Sequence, residues 1–283
     1  MAGKKTVKLG TVCIVGPGLI GGSIGLGLKK KGLAELVIGV GHRSPSLTKA
    51  LKMGAIDRAT QDIEKGASDA DIVILCTSVR LIPQMAAKAV PVMKRGAILT
   101  DVGSTKQHIV KCIQGIKRKD IPFIGGHPIA GSERRGIEAA KADLFEGRLC
   151  ILTPVGRNTG ALRTIKALWQ GLGAKINILS ADEHDRTLAA TSHLPLLLAA
   201  SLVNTVGAKR LPYTGPGFRD MTRIASSDPA LWRDILFQNR SAVLGALVSF
   251  QKKLSSIKLA MHEEKPARLS SQLMRAKRLR DTV

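Results

Sequence analysis

The sequence predicts an α/β fold, a doubly wound and mostly parallel sheet followed by an all-helical C-terminal domain. Three patterns predict it. A glycine-rich turn ends a short β-branched run close to the N-terminus. Strand-like and helix-like segments then alternate to about residue 180. Beyond that point only helical spacing remains. Continuous apolar strands alternating with helices mark a parallel sheet covered on both faces.

The first strand, Thr11 to Val15, runs into Gly16-Pro17-Gly18-Leu19-Ile20-Gly21, and a helix continues to about Lys31. The glycines hold the G-x-G-x-x-G spacing of a Rossmann-type dinucleotide-binding turn. Gly16 permits the tight turn, Gly18 lets backbone approach a pyrophosphate, and Gly21 lets helix pack on strand. The helix N-terminus then offers N–H groups to the phosphates. Gly16, Gly18, Leu19, Ile20 and Gly21 are therefore assigned to the cofactor. A second strand, Leu36–Val40, completes the first βαβ unit, and Asp71–Cys76, Ala97–Thr100, Phe123–Gly125, Leu149–Thr153 and Lys175–Leu179 follow. Helical segments fall at Leu47–Lys52, Ile82–Met93, Lys106–Ile116 and Gly160–Leu172.

From Ser180 the character changes. Asp182 to Gly207 reads as a long helix, capped by Ser180 or Asp182 and kinked by Pro195. A Gly/Pro-rich loop, Pro212 to Arg219, interrupts the helices. Leu236, Val243, Leu247, Phe250, Leu254 and Ile257 then recur at heptad-like intervals, as a core stripe or as a seam between subunits. The domains are expected at 1–180, binding the dinucleotide, and 181–283, helical.

The end of the second strand discriminates between cofactors. NAD-binding units carry an acidic residue there for the ribose 2′-hydroxyl. Here the chain reads Val40-Gly41-His42-Arg43-Ser44, with Gly41 at the acidic position. Without the carboxylate a 2′-phosphate meets no repulsion, and Arg43 and Ser44 are suited to bind it. NADP is favoured over NAD, with His42, Arg43 and Ser44 at its ribose end. Thr77 and Ser78, ending a buried strand, are placed on its nicotinamide side.

Net charge is +23, from 44 Lys and Arg against 21 Asp and Glu. Such a balance raises nucleic acid as a partner. Aromatic residues are only 3% and the basic residues are spread over the chain, so specific nucleic-acid binding is not expected. The tail, Lys265 to Arg280, suits non-specific contact with polyanions. The charge also favours an anionic cofactor and an anionic substrate. No apolar run approaches about 18 residues, and no secretory signal is evident, so a soluble protein without membrane contact is expected. Cys13, Cys76, Cys112 and Cys150 form no C-x-x-C pair. Neither a metal site nor a disulfide framework is indicated, and a cytoplasmic location fits.

Two strand ends carry candidate chemistry. In Asp101-Val102-Gly103-Ser104-Thr105-Lys106 a strand runs into a hydroxyl and a helix start. In Gly125-Gly126-His127-Pro128 a histidine lies just past a strand, where it serves neither helix nor sheet. Imidazole is the natural acid–base group near neutral pH, and oxidising an alcohol requires removal of its hydroxyl proton. His127 is the candidate base. His108, His184 and His262 lack such context and read as surface or structural residues, as does His42 apart from its place beside the cofactor.

The segments GPGLIGGS, DVGSTK, GGHPIAGSE, TSHLP and GPGFRDMTRIASSDPALW together resemble the prephenate/arogenate dehydrogenase family of tyrosine biosynthesis, over about residues 10 to 260. The resemblance implies a helical domain that dimerises and an oxidative decarboxylation of prephenate or its amino analogue arogenate, giving 4-hydroxyphenylpyruvate or tyrosine. It implies that His127 takes the ring-hydroxyl proton while Ser104 orients it. Arg223 would bind a substrate carboxylate, with Glu133 paired to it. Ser132 would line the substrate, His193 would face its side chain, and Arg219 would supply charge for the second carboxylate. Relatives often carry lysine at the position of Arg219. A β-hydroxyacid dehydrogenase would share the glycine turn but rely on a lysine in the helical domain, and none stands out between Asp182 and Gly207. A non-catalytic dinucleotide sensor or nucleic-acid binder would have no use for His127, Ser104 and Arg223 together.

Overall fold

The computed structural model describes residues 8–116, 118–131, 134, 136–156 and 158–282. Eight strands form one sheet in the order β3-β2-β1-β4-β5-β6-β7-β8. They are β1 (Thr11–Val15), β2 (Leu36–Val40), β3 (Arg58–Thr60), β4 (Ile72–Leu75), β5 (Ile98–Asp101), β6 (Phe123–Pro128), β7 (Leu149–Pro154) and β8 (Lys175–Ile178). Every pairing is parallel except β6 with β7. Around the sheet lie α1 (Leu19–Lys30), α2 (Ser44–Lys52), α3 (Ile63–Ser68), α4 (Ile82–Ala89), α5 (Gln107–Gln114) and α6 (Thr159–Gly171).

Side-chain alternation along each strand explains why both faces are covered. Val12 and Ile14 of β1, with Ile72 and Ile74 of β4, pack against Ile24 and Leu28 of α1 and Ile165 and Trp169 of α6. Their neighbours Cys13, Val15, Val73 and Leu75 pack against Ile63, Ile82 and Ile109 of α3, α4 and α5. A strand buried on two faces needs apolar residues at successive positions, which is the continuous pattern of these runs. Burial pushes the Cys13 thiol up to about 12, and the residue serves as packing. All four cysteines are free thiols.

Three expectations change. The strand β3 was not predicted: it is three residues long, at the sheet edge, and two of them are exposed. The expected strand at Phe123–Gly125 extends to Pro128, so His127 is within β6, opposite Ile151 of β7. The expected kink at Pro195 takes the form of a π-helical turn. The helix α7 (Ala181–Leu188) leads to a π segment, Ala189–His193, and then to α8 (Leu194–Val206). Pro195 cannot donate the helical N–H, and the widened turn before it absorbs the mismatch. At the start of α7, Ser180 forms a capping box with Glu183: Glu183 N–H donates to Ser180 Oγ at 3.2 Å, and Ser180 N–H donates to Glu183 Oε2 at 3.0 Å.

The remaining helices are α9 (Pro216–Thr222), α10 (Pro229–Gln238), α11 (Arg240–His262) and α12 (Pro266–Arg280). The chain divides into two compact units, one up to Thr187 with Ser226–Asn239, the other Leu188–Ala225 with Arg240 to the C-terminus. The division therefore falls a few residues beyond the expected boundary at 180, and α10 returns to the sheet-bearing unit. Among the described residues no strand follows Ile178. The segment Ala181–Val206 is long and apolar enough to cross a membrane by length and composition alone, although no uninterrupted apolar run marks it, and only 22% of its most apolar window is buried in the chain.

Candidate active site

The glycine turn has the geometry its spacing implies. Gly16 has φ +93°, and a Cβ there would meet the Cys76 carbonyl oxygen at 2.9 Å. A Cβ on Gly21 would collide with the Gly16 carbonyl oxygen, while one on Gly18 would meet nothing, which leaves room for a phosphate. Leu19 and Ile20 open α1, whose first turn has neither a side-chain cap nor an acidic residue. These N–H groups and the positive end of the helix therefore fit a pyrophosphate. Thr77, just past β4, has a buried Oγ1 without a hydrogen-bond partner among the described residues, a polar atom suited to the nicotinamide end; Ser78 beside it is exposed.

At the end of β2, Gly41 donates its N–H to Thr60 O at 3.2 Å. The His42 carbonyl accepts from Gln61 Nε2 at 2.8 Å, and the side chains of His42, Arg43 and Ser44 are exposed. The residues that fit a dinucleotide thus lie at the carboxyl ends of β1, β2 and β4, as the parallel topology requires.

Beside them, β5 ends in Asp101, whose side chain is fully buried with that of Lys106: Lys106 Nζ donates to Asp101 Oδ2 at 2.6 Å. Asp101 also accepts from Gly103 N–H at 2.8 Å and Gly126 N–H at 3.2 Å. One anion therefore anchors the Ser104 loop to β6. His127, 8% exposed, directs Nδ1 to Nε2 of His184 at 2.8 Å. His184 has no exposure and directs Nδ1 to Asp185 Oδ1 at 2.8 Å. Asp185 accepts the N–H groups of Lys106 at 2.8 Å and Gln107 at 2.9 Å, at the start of α5. Asn239, just after α10, donates from Nδ2 to the Asp185 carbonyl at 2.7 Å. Desolvation, reinforced by the nearby Lys106 charge and opposed by Asp185 and Asp101, holds the His184 imidazole below its ordinary value.

His184 is thus no surface histidine: it is the buried partner of the candidate base. The contact of His127 with Ser104 that was expected is taken by His184. Ser104 is half-buried in the same loop and, among the described residues, makes no hydrogen bond. The only local signal for His184 and Asp185 was a His-Asp pair one turn into a capped helix, which by itself does not say what the helix faces.

Within the helical unit His193, 1% exposed, ends the π segment, while Arg219 in the last turn of α9 and Arg223 just beyond it are exposed. Ser132 and Glu133 lie outside the described residues. Among those described, no group of three His, Cys, Asp or Glu side chains is arranged to hold a metal ion.

A dinucleotide turn at one set of strand ends, and an imidazole backed by a second imidazole and a carboxylate at the next, suit the removal of a hydride from an alcohol carbon and a proton from its hydroxyl. The class is that of nicotinamide-dinucleotide-dependent dehydrogenases. The family models narrow it further: residues 24–178 match the prephenate dehydrogenase nucleotide-binding domain and residues 180–275 the prephenate dehydrogenase dimerization domain. The chain belongs to the prephenate dehydrogenase family. It is 36% identical to the prephenate dehydrogenase of Bacillus subtilis, over 96% of this chain and 75% of that one. It is 35% identical to the cyclohexadienyl dehydrogenase of Zymomonas mobilis, over 88% of each. Among solved structures, prephenate dehydrogenase of Aquifex aeolicus, in complex with hydroxyphenyl propionate and NAD+, is similar with a TM-score of 0.91 and 34% identity, over 98% of this chain and 99% of that one. Arogenate dehydrogenase of Synechocystis is similar with a TM-score of 0.86 and 30% identity, over 96% and 99%.

Proposed function

We propose that the chain catalyses the oxidative decarboxylation of prephenate to 4-hydroxyphenylpyruvate in tyrosine biosynthesis, as a cytoplasmic homodimer that prefers NADP+ to NAD+. One observation carries the reading: a buried histidine, His127, stands at the carboxyl end of the dinucleotide-binding sheet with Nδ1 turned to His184. Its Nε2 is the atom assigned to the substrate as general base.

When bound, the nicotinamide supplies a hydride acceptor for the ring carbon that bears the hydroxyl. His127 takes the hydroxyl proton. The bond to the ring carboxylate breaks, its electron pair enters the ring, carbon dioxide leaves, and the phenolate so formed takes up a proton. Aromatisation provides the driving force, so the protein mainly aligns the groups and accepts the proton. Arg223 binds one substrate carboxylate with its planar fork, and Arg219 provides charge for the second. His193 faces the substrate side chain, Ser104 serves both nicotinamide and substrate, Glu133 is the partner of Arg223, and Ser132 is a further substrate-binding residue.

The preference for NADP+ rests on Gly41, which leaves no carboxylate to repel a 2′-phosphate, and on the exposed Arg43 and Ser44 beside it. The Aquifex relative was solved with NAD+, so NAD+ is the competing cofactor. Arogenate is the competing substrate, since one similar structure is an arogenate dehydrogenase. The purified chain is mixed with prephenate or arogenate, each with NAD+ or NADP+, and reduced nicotinamide is followed by absorbance. Highest kcat/KM for prephenate with NADP+ supports the reading. No turnover with any pair overturns it.

A further inference from the structure

His127, His184 and Asp185 form a chain of single hydrogen bonds in which each proton position determines the next. Asp185 is held by two backbone N–H groups at the start of α5, one on each carboxylate oxygen, so it meets His184 as an acceptor. His184 Nδ1, 2.8 Å from Oδ1, must therefore carry a proton; the opposite arrangement would set two lone pairs against each other. The ring is desolvated, with Lys106 near it and with Asp185, Asp101 and His127 as the other titratable groups around it, and its protonation is disfavoured. A neutral His184 protonated at Nδ1 has its lone pair on Nε2. His127 Nδ1, 2.8 Å from that lone pair, must donate to it. The lone pair of His127 then resides on Nε2.

We propose that Asp185, acting through His184, sets the tautomer in which His127 Nε2 is the base, so that both are positioning residues for the reaction. The proposal rests on the reading of His127 as the base. It also gives the incoming proton a place. Once Nε2 is protonated, the Nδ1–H of His127 still points at a second imidazole, itself backed by a carboxylate.

The two positions respond differently to substitution. Asp185→Asn offers an amide with one donor and one acceptor to three hydrogen-bond partners. Either an N–H of α5 loses its acceptor or His184 meets an NH₂ group and turns over its proton, which reverses the chain down to His127. His184→Gln keeps the polarity: its carbonyl accepts from His127 and its NH₂ donates to Asp185. His184→Leu removes the link altogether.

The test combines kinetics with imidazole ¹⁵N chemical shifts of the full chain labelled at histidine, without substrate, and assigned by single histidine substitutions. The expected wild-type spectrum has a protonated Nδ1 and an unprotonated Nε2 on both His127 and His184. Asp185→Asn and His184→Leu are expected to lower kcat by about 100-fold with KM little changed, the scale of a lost general base. His184→Gln is expected to restore most of kcat. A wild-type spectrum with the proton on His127 Nε2 overturns the proposal, as does an unchanged kcat in both Asp185→Asn and His184→Leu. Should Asp185→Asn not fold, the wild-type spectrum and the Gln–Leu contrast at 184 decide. Should the wild type turn over none of the four substrate and cofactor pairs, the functional reading fails while the ring-nitrogen shifts still decide the tautomer.

Discussion

Asp101 and Lys106 form an ion pair in which neither side chain is exposed, with Nζ 2.6 Å from Oδ2. Through Gly103 and Gly126 the same carboxylate holds both the loop after β5 and the strand that carries His127. Removing one partner leaves the other charged in a low-dielectric interior. Lys106→Met should therefore destabilise the fold by about 3–5 kcal/mol, and adding Asp101→Asn should recover part of that loss. Urea denaturation measures both. A cost for Lys106→Met no larger than the ~0–1 kcal/mol of a surface pair would mean that water reaches the pair.

His184 makes stability depend on pH in a window of its own. Its folded-state value is depressed below the ordinary 6.5, first by desolvation. The unfolded chain therefore binds more protons than the folded one between the depressed value and 6.5. Stability is full above 6.5 and falls as the pH drops toward the depressed value. The carboxylates held low by hydrogen bonds, Glu138 to Lys49 and Glu183 to the Ser180 N–H, lose their contribution only below ordinary carboxylate values. Melting temperature should thus decline between pH 7 and pH 5, with a shallower slope in His184→Gln. Equal slopes in the two proteins would show that His184 does not account for the decline.

What was legible in the sequence was whatever local backbone chemistry dictates. Gly16 and Gly21 are required by a positive φ and a close approach that any side chain would break, so their spacing announces the turn. Val12 to Val15 and Ile72 to Leu75 are buried on both faces, and their unbroken apolar runs say so. The antiparallel β7 is what turns Gly125-Gly126-His127-Pro128 into strand, because glycine and proline have little preference for it. The pairing of His127 with His184 spans 57 residues and depends on how α7 packs, which no local pattern encodes. The second imidazole and the buried lysine were therefore visible only once the chain was folded.

His127→Asn should abolish turnover while leaving dinucleotide binding intact, since the residue belongs to β6 and not to the glycine turn. Dinucleotide titration by fluorescence, run beside the absorbance assay, separates the two effects. Undiminished activity would remove His127 from the role of base. Arg223→Ala should act on the other parameter. Loss of a charge-assisted bidentate contact costs about 1.5–3 kcal/mol, so KM should rise by one to two orders of magnitude with a smaller change in kcat.

Gly41→Asp should move cofactor preference toward NAD+. A Cβ at 41 would sit 3.3 Å from Leu47 Cδ2, so Leu47 must give by a few tenths of an ångström, and the backbone there needs no positive φ. The new carboxylate would accept from a ribose 2′-hydroxyl and repel a 2′-phosphate. At least a tenfold change in the ratio of kcat/KM values is expected, about 1.4 kcal/mol of discrimination. An unchanged ratio would show that Gly41 does not govern the choice.

The helical unit leaves much apolar surface uncovered by its own chain. On α11, Leu244 and Val248 are 49% and 50% exposed and lie four residues apart, on one face of the helix. A few residues along, Leu254 and Leu259 are also exposed. Apolar rows of this length on a 23-residue helix are costly in water and suit a second copy of the same surface, as a dimerization domain would supply. Leu244→Asp combined with Val248→Asp should convert a dimer to a monomer in analytical ultracentrifugation, because each buried aliphatic side chain contributes about 1.5–3 kcal/mol and a carboxylate there adds a desolvation cost. A wild-type chain that sediments as a monomer would refute the dimer. A doubly substituted chain that remains dimeric would move the interface away from this face of α11.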